Sequence, residues 1–163
     1  RAQAADLPQH VSWADDQPVP MWLETARELT EYWIHPQQLL QALDRPEDLR
    51  TNLLGPVLDA LRWAYPFRLR AVPGRPGDGV VVEVHGAVAR QWTIVRDATA
   101  WDFSDRPADR VVARMRLDAS TAWRLLTNNL AARHPQPEID AEEPYATVLR
   151  DTRAIIGAPQ APH

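Results

Sequence analysis

Residues 22–43, WLETARELTEYWIHPQQLLQAL, decide how the rest of the chain is read. The spacing predicts one long helix, with Trp22, Leu29, Tyr32, Trp33, Leu39, Leu40 and Leu43 giving it apolar sides to set against neighbours. Arg27, Glu31 and His35 stand four apart and share a different stripe, because residues one turn apart lie above one another. A carboxylate one turn from an imidazole can hold a divalent metal. The same spacing also serves an intrahelical hydrogen-bonded pair on a partly exposed face. Pro36 follows His35 and brings no N–H, so a bend or loosened turn is expected at His35.

Upstream, residues 1–20 are proline-punctuated and polar, an extended or irregular lead-in, with Asp15 and Asp16 suited to the positive end of the helix. The chain does not begin with Met, as expected of one cut from a longer sequence. Downstream, DRPED (44–48) is a break. A second helix is expected over 49–64, packing through Leu53, Leu54, Val57, Leu58, Leu61 and Trp63, kinked at Gly55-Pro56 and ended by Tyr65-Pro66. The period then changes. Strands are expected at 66–72, 80–86, 91–97, 99–103 and 111–118, with a turn-rich loop at 73–79. In 111–118, Val111, Ala113, Met115 and Leu117 alternate with Val112, Arg114 and Arg116, as in an antiparallel sheet covered on one face. A helix over 119–133 follows, capped by Asp118 or Ser120, docked through Trp123, Leu126 and Leu130, and broken at Pro135 and Pro137. A last helix over 144–156 turns Val148, Leu149, Ile155 and Ile156 inward and stops at Gly157. Helices, then strands, then helices make an α+β order.

Composition narrows the function. The 163 residues are 45% hydrophobic with seven Trp, enough to bury a core in one domain or in two small ones sharing an interface. A net charge of −4 and a pI near 5.7 argue against nucleic acid as a partner, since phosphate binding needs a basic surface. Without Cys, disulfides, thiolate metal sites and a Cys nucleophile are excluded, and a reducing cytoplasm fits. No apolar run reaches the roughly 20 residues that span a bilayer. All 18 basic residues are Arg, which reads as coding bias before function.

TARELTEYWIHPQQLLQAL followed by DRP, a helix, four or five strands, LDASTAWRLLTNNL and VLRDTRAII resembles the mycothiol-dependent maleylpyruvate isomerase family. The resemblance implies an α+β chain in which residues 1–45 hold a lead-in and the last helix of a DinB-like four-helix metal-binding bundle. Residues 46–163 would form a sterol-carrier-like domain, a mainly antiparallel sheet of four or five strands covered by C-terminal helices. It further implies that Glu31 and His35 are metal ligands, that the metal is zinc or another divalent ion, and that the cofactor is mycothiol. The family's first metal-binding His has no counterpart here, so either the chain is the C-terminal portion of a longer isomerase or transferase of this kind, or its metal site is incomplete. A metal-held thiolate would add to an electrophilic small molecule, in the isomerase the cis double bond of its substrate. Arg27 and Arg124, with Arg70, are candidates to hold a substrate carboxylate. The long helix calls for a partner, either a preceding segment or a second copy of the chain.

Other residues carry less. His85 shares a strand face with Glu83, the solvated one; His10 lies in the lead-in, His134 in a loop and His163 at the end. Trp92, Trp101 and Trp123 are expected in the core, though a sheet under a helix could enclose an apolar ligand among them. That is the alternative, a non-catalytic binding module for a small apolar ligand or a protein partner. PGRPGDG lacks the G-K-[ST] ending of a phosphate loop, and Ser104 and Ser120 lack a nucleophile elbow.

Overall fold

In the computed structural model, the backbone is described for residues 9–10, 18–19, 22–49 and 51–154, and side chains for 25–49 and 52–154. The expectations for Asp15 and Asp16, Ile155, Ile156 and Gly157, and for the side chains of His10, Trp22 and His163, lie outside these residues. The lead-in holds a two-residue antiparallel pairing, β1 (Gln9–His10) with β2 (Pro18–Val19). Helix α1 (Trp22–Ala42) then runs through Pro36. It ends where Asp44 turns left-handed at φ 52°, the Arg45 N–H bonding the Leu40 carbonyl at 2.8 Å and the Asp44 N–H that of Gln41 at 3.2 Å. That double bond closes the last turn as a Schellman motif, with Asp in the place glycine usually takes.

Two helices replace the single one expected next: α2 (Thr51–Leu61) and α3 (Ala64–Leu69). The strand expected at 66–72 is therefore corrected to helix and turn. Pro66 is the third residue of α3, where its missing N–H has no intrahelical carbonyl to serve. Tyr65 and Leu69, one turn apart, are both fully buried. Ala64 is buried beside Tyr65 while Phe67 is only half-buried; strand alternation would have buried Phe67 with Tyr65 and Leu69 and turned Ala64 outward, so the pattern is that of a helix.

The sheet holds β3 (Asp78–His85), β4 (Arg90–Arg96), β5 (Trp101–Phe103), β6 (Arg110–Asp118) and β7 (Glu138–Ala141), in the order β5-β4-β3-β6-β7. It is mixed: β3 and β6 pair parallel, and the other three pairings are antiparallel. The register aligns Val80 with Ile94 and Ala113, and Val82 with Trp92 and Met115, so one face is continuously apolar. A bulge between Gly79 and Val80 moves two residues of β6 from their expected sides: Val111 is 45% exposed, while Val112 packs against the core. One extra residue shifts the period of two by one, which exchanges the faces upstream of it. Strand β7 was not foreseen; its four residues pair with 113–116 and put Ile139 beside Met115.

Helix α4 (Ala119–Leu126) starts as expected, the Asp118 carboxylate accepting the Thr121 N–H at 2.9 Å, and it ends about two turns early. Asn128 is left-handed at φ 59°, and the Asn129 N–H reaches back to the Arg124 carbonyl at 2.7 Å, a second Schellman closure. Helix α5 (Tyr145–Asp151) buries Leu149. Residues of α2, α3, α4 and α5 meet the apolar sheet face, so the cover is not C-terminal alone; α1 packs on α2 and adds Trp33 and Ile34 to the same core. Among the described residues, no helix is long and apolar enough to cross a membrane.

The chain passes from β5 to β6 across the other face of the sheet. An added Cβ at Gly79 would stand 2.1 Å from the Ala108 Cβ, so only glycine lets the crossover lie this close. Gly79→Val is expected to cost about 2 kcal/mol through overpacking, read as a lower denaturation midpoint at unchanged slope. At the start of the parallel pair, the register partners Asp78 and Arg110 form a two-pronged contact, Arg110 Nε and Nη2 reaching Asp78 Oδ1 at 2.8 and 2.6 Å. Burial pushes the Asp78 carboxyl up, but the Arg75 N–H and the Arg110 guanidinium outweigh it and hold the group below its ordinary range. The folded state thus binds this proton less readily than the unfolded chain. The resulting stability is present above the ordinary carboxylate pKa of about 4 and is lost as pH falls through the lower folded value. Asp78→Asn is expected to flatten the acid limb of the stability–pH curve measured by denaturant titration.

Candidate functional site

Helix α1 presents two different sides. Thr30, Trp33, Ile34 and Gln37 are buried against the domain, while Tyr32, Leu39 and Leu43 are 76%, 60% and 62% exposed. The expected apolar sides are therefore divided: Trp33, with Leu29 partly, faces the core, and Tyr32, Leu39 and Leu43 face out.

Glu31 and His35 sit on the outer flank, Glu31 one-third exposed and His35 two-thirds. They face each other, His35 Nε2 lying 3.0 Å from Glu31 Oε2. The other ring nitrogen, Nδ1, lies 3.1 Å from Gln38 Oε1. The orientation of Gln38 follows from its neighbour. Asn129 Nδ2 donates to the Thr127 carbonyl and hydroxyl, both at 2.8 Å, so Asn129 Oδ1 is left as an acceptor. Gln38 Nε2 donates to it at 3.5 Å and thereby aims Oε1 at His35. Both imidazole nitrogens consequently meet oxygens that can only accept. A neutral imidazole has one N–H and cannot serve two such acceptors. With its proton on Nδ1 toward Gln38, the ring would turn the Nε2 lone pair toward the carboxylate, where a cation could bind.

The donor set fits a divalent ion as two of its ligands. Two side chains rarely hold zinc by themselves, catalytic sites usually offering three. Among the described residues, no group of three or more His, Asp or Glu stands close enough to hold one.

Arg27 donates from Nη2 to Glu28 at 2.9 Å, on the same helix as the pair. Arg70 stacks on the Phe67 ring at 4.0 Å. Arg124 is placed quite differently from a side chain waiting for substrate. Only 7% exposed, it bonds Gln41 Oε1 at 2.8 Å and Glu47 Oε2 at 3.2 Å, and lies over the Trp123 ring. Trp123 Nε1 donates to that same Glu47 oxygen at 2.9 Å. Glu47, missed in the sequence because DRPED read only as a break, thus closes the end of α1 onto α4. Removing Arg124 would take the charge partner from the half-buried Glu47 and the packing of a buried guanidinium from the Trp123 ring. Arg124→Ala is expected to destabilise the fold by about 3 kcal/mol, measured by denaturant unfolding.

The three indoles proposed for an apolar ligand are filled in by protein. Trp92 tilts against Tyr65 at 6.2 Å, Trp101 bonds the Val72 carbonyl at 3.1 Å, and Trp123 meets Trp33 edge to face at 5.5 Å. His85 is exposed beyond Glu83, which bridges Arg114 and Arg116 on the open sheet face. Concavities of about 520 and 270 Å³ lie on that side, along β6–β7 and beneath the crossover, and one of about 380 Å³ lies beside Asp78, Arg110 and Tyr145; none takes a residue from α1. Compared with family models, curated proteins and solved structures, the chain matches none.

Proposed function

We propose that Glu31 and His35 are two ligands of a divalent metal, and that the chain is the C-terminal portion of a metal- and thiol-dependent isomerase or transferase of the maleylpyruvate isomerase type. One observation carries the reading: an imidazole whose two nitrogens both face acceptors, one of them a carboxylate oxygen 3.0 Å away. A ligating His usually donates its second N–H to an oxygen, and Gln38 supplies that oxygen here. A bound divalent ion would lower the pKa of a thiol such as that of mycothiol, making thiolate available near neutral pH.

The chain's own residues do the holding. Trp33 and Ile34, buried on the inner side of α1, fix the rotation of the helix and with it the direction in which Glu31 and His35 project. The exposed Tyr32, Leu39 and Leu43 give the same outer side an apolar surface on which further helices can pack and bring the remaining ligand. Arg27, one turn before Glu31, is the arginine on that flank placed to meet a substrate carboxylate. Arg124, committed to Glu47, has a structural part instead.

The full-length protein, with the helices that precede this portion, is expected to carry about one divalent ion by elemental analysis when purified without chelator. His35→Ala and Glu31→Gln should each lose it while keeping the helical circular dichroism. Stoichiometric metal retained by His35→Ala would show that the ligands lie elsewhere.

A further inference from the structure

We infer that Gln38 is a positioning residue for His35, held in place from outside its own helix by Asn129. The inference rests on the metal reading of Glu31 and His35 for its purpose, and on geometry for its substance. His35 is two-thirds exposed, so packing does little to fix its ring. Its direction must come from polar contacts. Glu31 engages Nε2, the nitrogen aimed at the carboxylate; Gln38 Oε1 engages Nδ1 from the next turn. An amide oxygen accepts and cannot donate, so this contact favours the tautomer with the proton on Nδ1 and leaves the Nε2 lone pair for a cation beside Glu31.

A glutamine on an exposed helix would ordinarily sample many rotamers and hold nothing. Here its other end is tied. Gln38 Nε2 meets Asn129 Oδ1, and Asn129 is itself immobilised by three bonds: Nδ2 to the Thr127 carbonyl, Nδ2 to the Thr127 hydroxyl, and its backbone N–H to the Arg124 carbonyl. These belong to the closure that ends α4, a helix buried along nearly its whole length. The relay therefore refers the imidazole to the rigid part of the domain, as outer partners of metal-binding histidines do. Glutamine is long enough to span from α1 to the α4 terminus and carries both the acceptor and the donor the relay needs. Leucine has neither; glutamate keeps an acceptor for Nδ1–H.

The test uses the full chain with His35 followed by imidazole ¹⁵N–¹H correlation, together with zinc affinity from competition with a chromophoric chelator. Gln38→Leu should reduce the share of neutral His35 that carries its proton on Nδ1 and weaken zinc binding about tenfold or more. Asn129→Ala, which removes the acceptor that ties Gln38 Nε2, should move both in the same direction, and unchanged unfolding midpoints would separate these effects from stability. Wild-type zinc affinity, or an unchanged tautomer ratio, in Gln38→Leu overturns the inference. If the wild-type chain takes up no zinc while Gln38→Leu still shifts the tautomer, the metal reading fails and the positioning contact stands.

Discussion

The edge-to-face contact between Trp33 and Trp123, with centroids 5.5 Å apart and planes at 88°, is the interaction on which the placement of everything on α1 depends. Each indole is almost wholly removed from water, and such a pair adds about 1 kcal/mol beyond its area burial. The energetic gain matters less than the constraint. With Trp33 and Ile34 turned inward, an α-helix has no freedom left about its axis, and the outward residues follow at 100° per position. Glu31 and His35 stand on the flank because Trp33 does not.

The same contact is buttressed where the chain leaves α1. Glu47 accepts from both Trp123 and Arg124, and Gln37 accepts the Asp48 N–H at 2.8 Å. A half-buried carboxylate that accepts from an arginine and an indole N–H has its charge matched on the side it turns from water. Arginine chemistry that could grip a substrate anion is spent here on holding two helices together. The chain's 18 arginines are thus not one population: Arg110, Arg114, Arg116 and Arg124 are all matched to carboxylates.

What the two sides of the sheet do is equally a matter of constraint. One face is continuous hydrocarbon under four helices; the other carries Glu83 between two arginines and is crossed by the chain at Gly79. The parallel pairing of β3 with β6 forces that crossing, since parallel neighbours cannot be joined by a tight turn.

Local spacing is legible in a sequence because helix and strand geometry make it so. The α+β order, the strand positions from β3 to β6, the Asp118 cap and the meeting of Glu31 with His35 all depend on residues a few positions apart, and all are present. Features set by residues distant in sequence were not legible. The turn of Val111 outward needed a bulge against Gly79, β7 needed the free edge of β6, and the helix at Ala64–Leu69 needed a core able to take Tyr65 and Leu69 together. Likewise, nothing near Arg124 in the chain announces Glu47, 77 positions away, nor does anything near His35 announce Asn129 behind Gln38. Residue order sets which groups can meet within one turn; which way they face and what holds them there is left to tertiary packing, because direction is set by contacts that the local repeat does not contain.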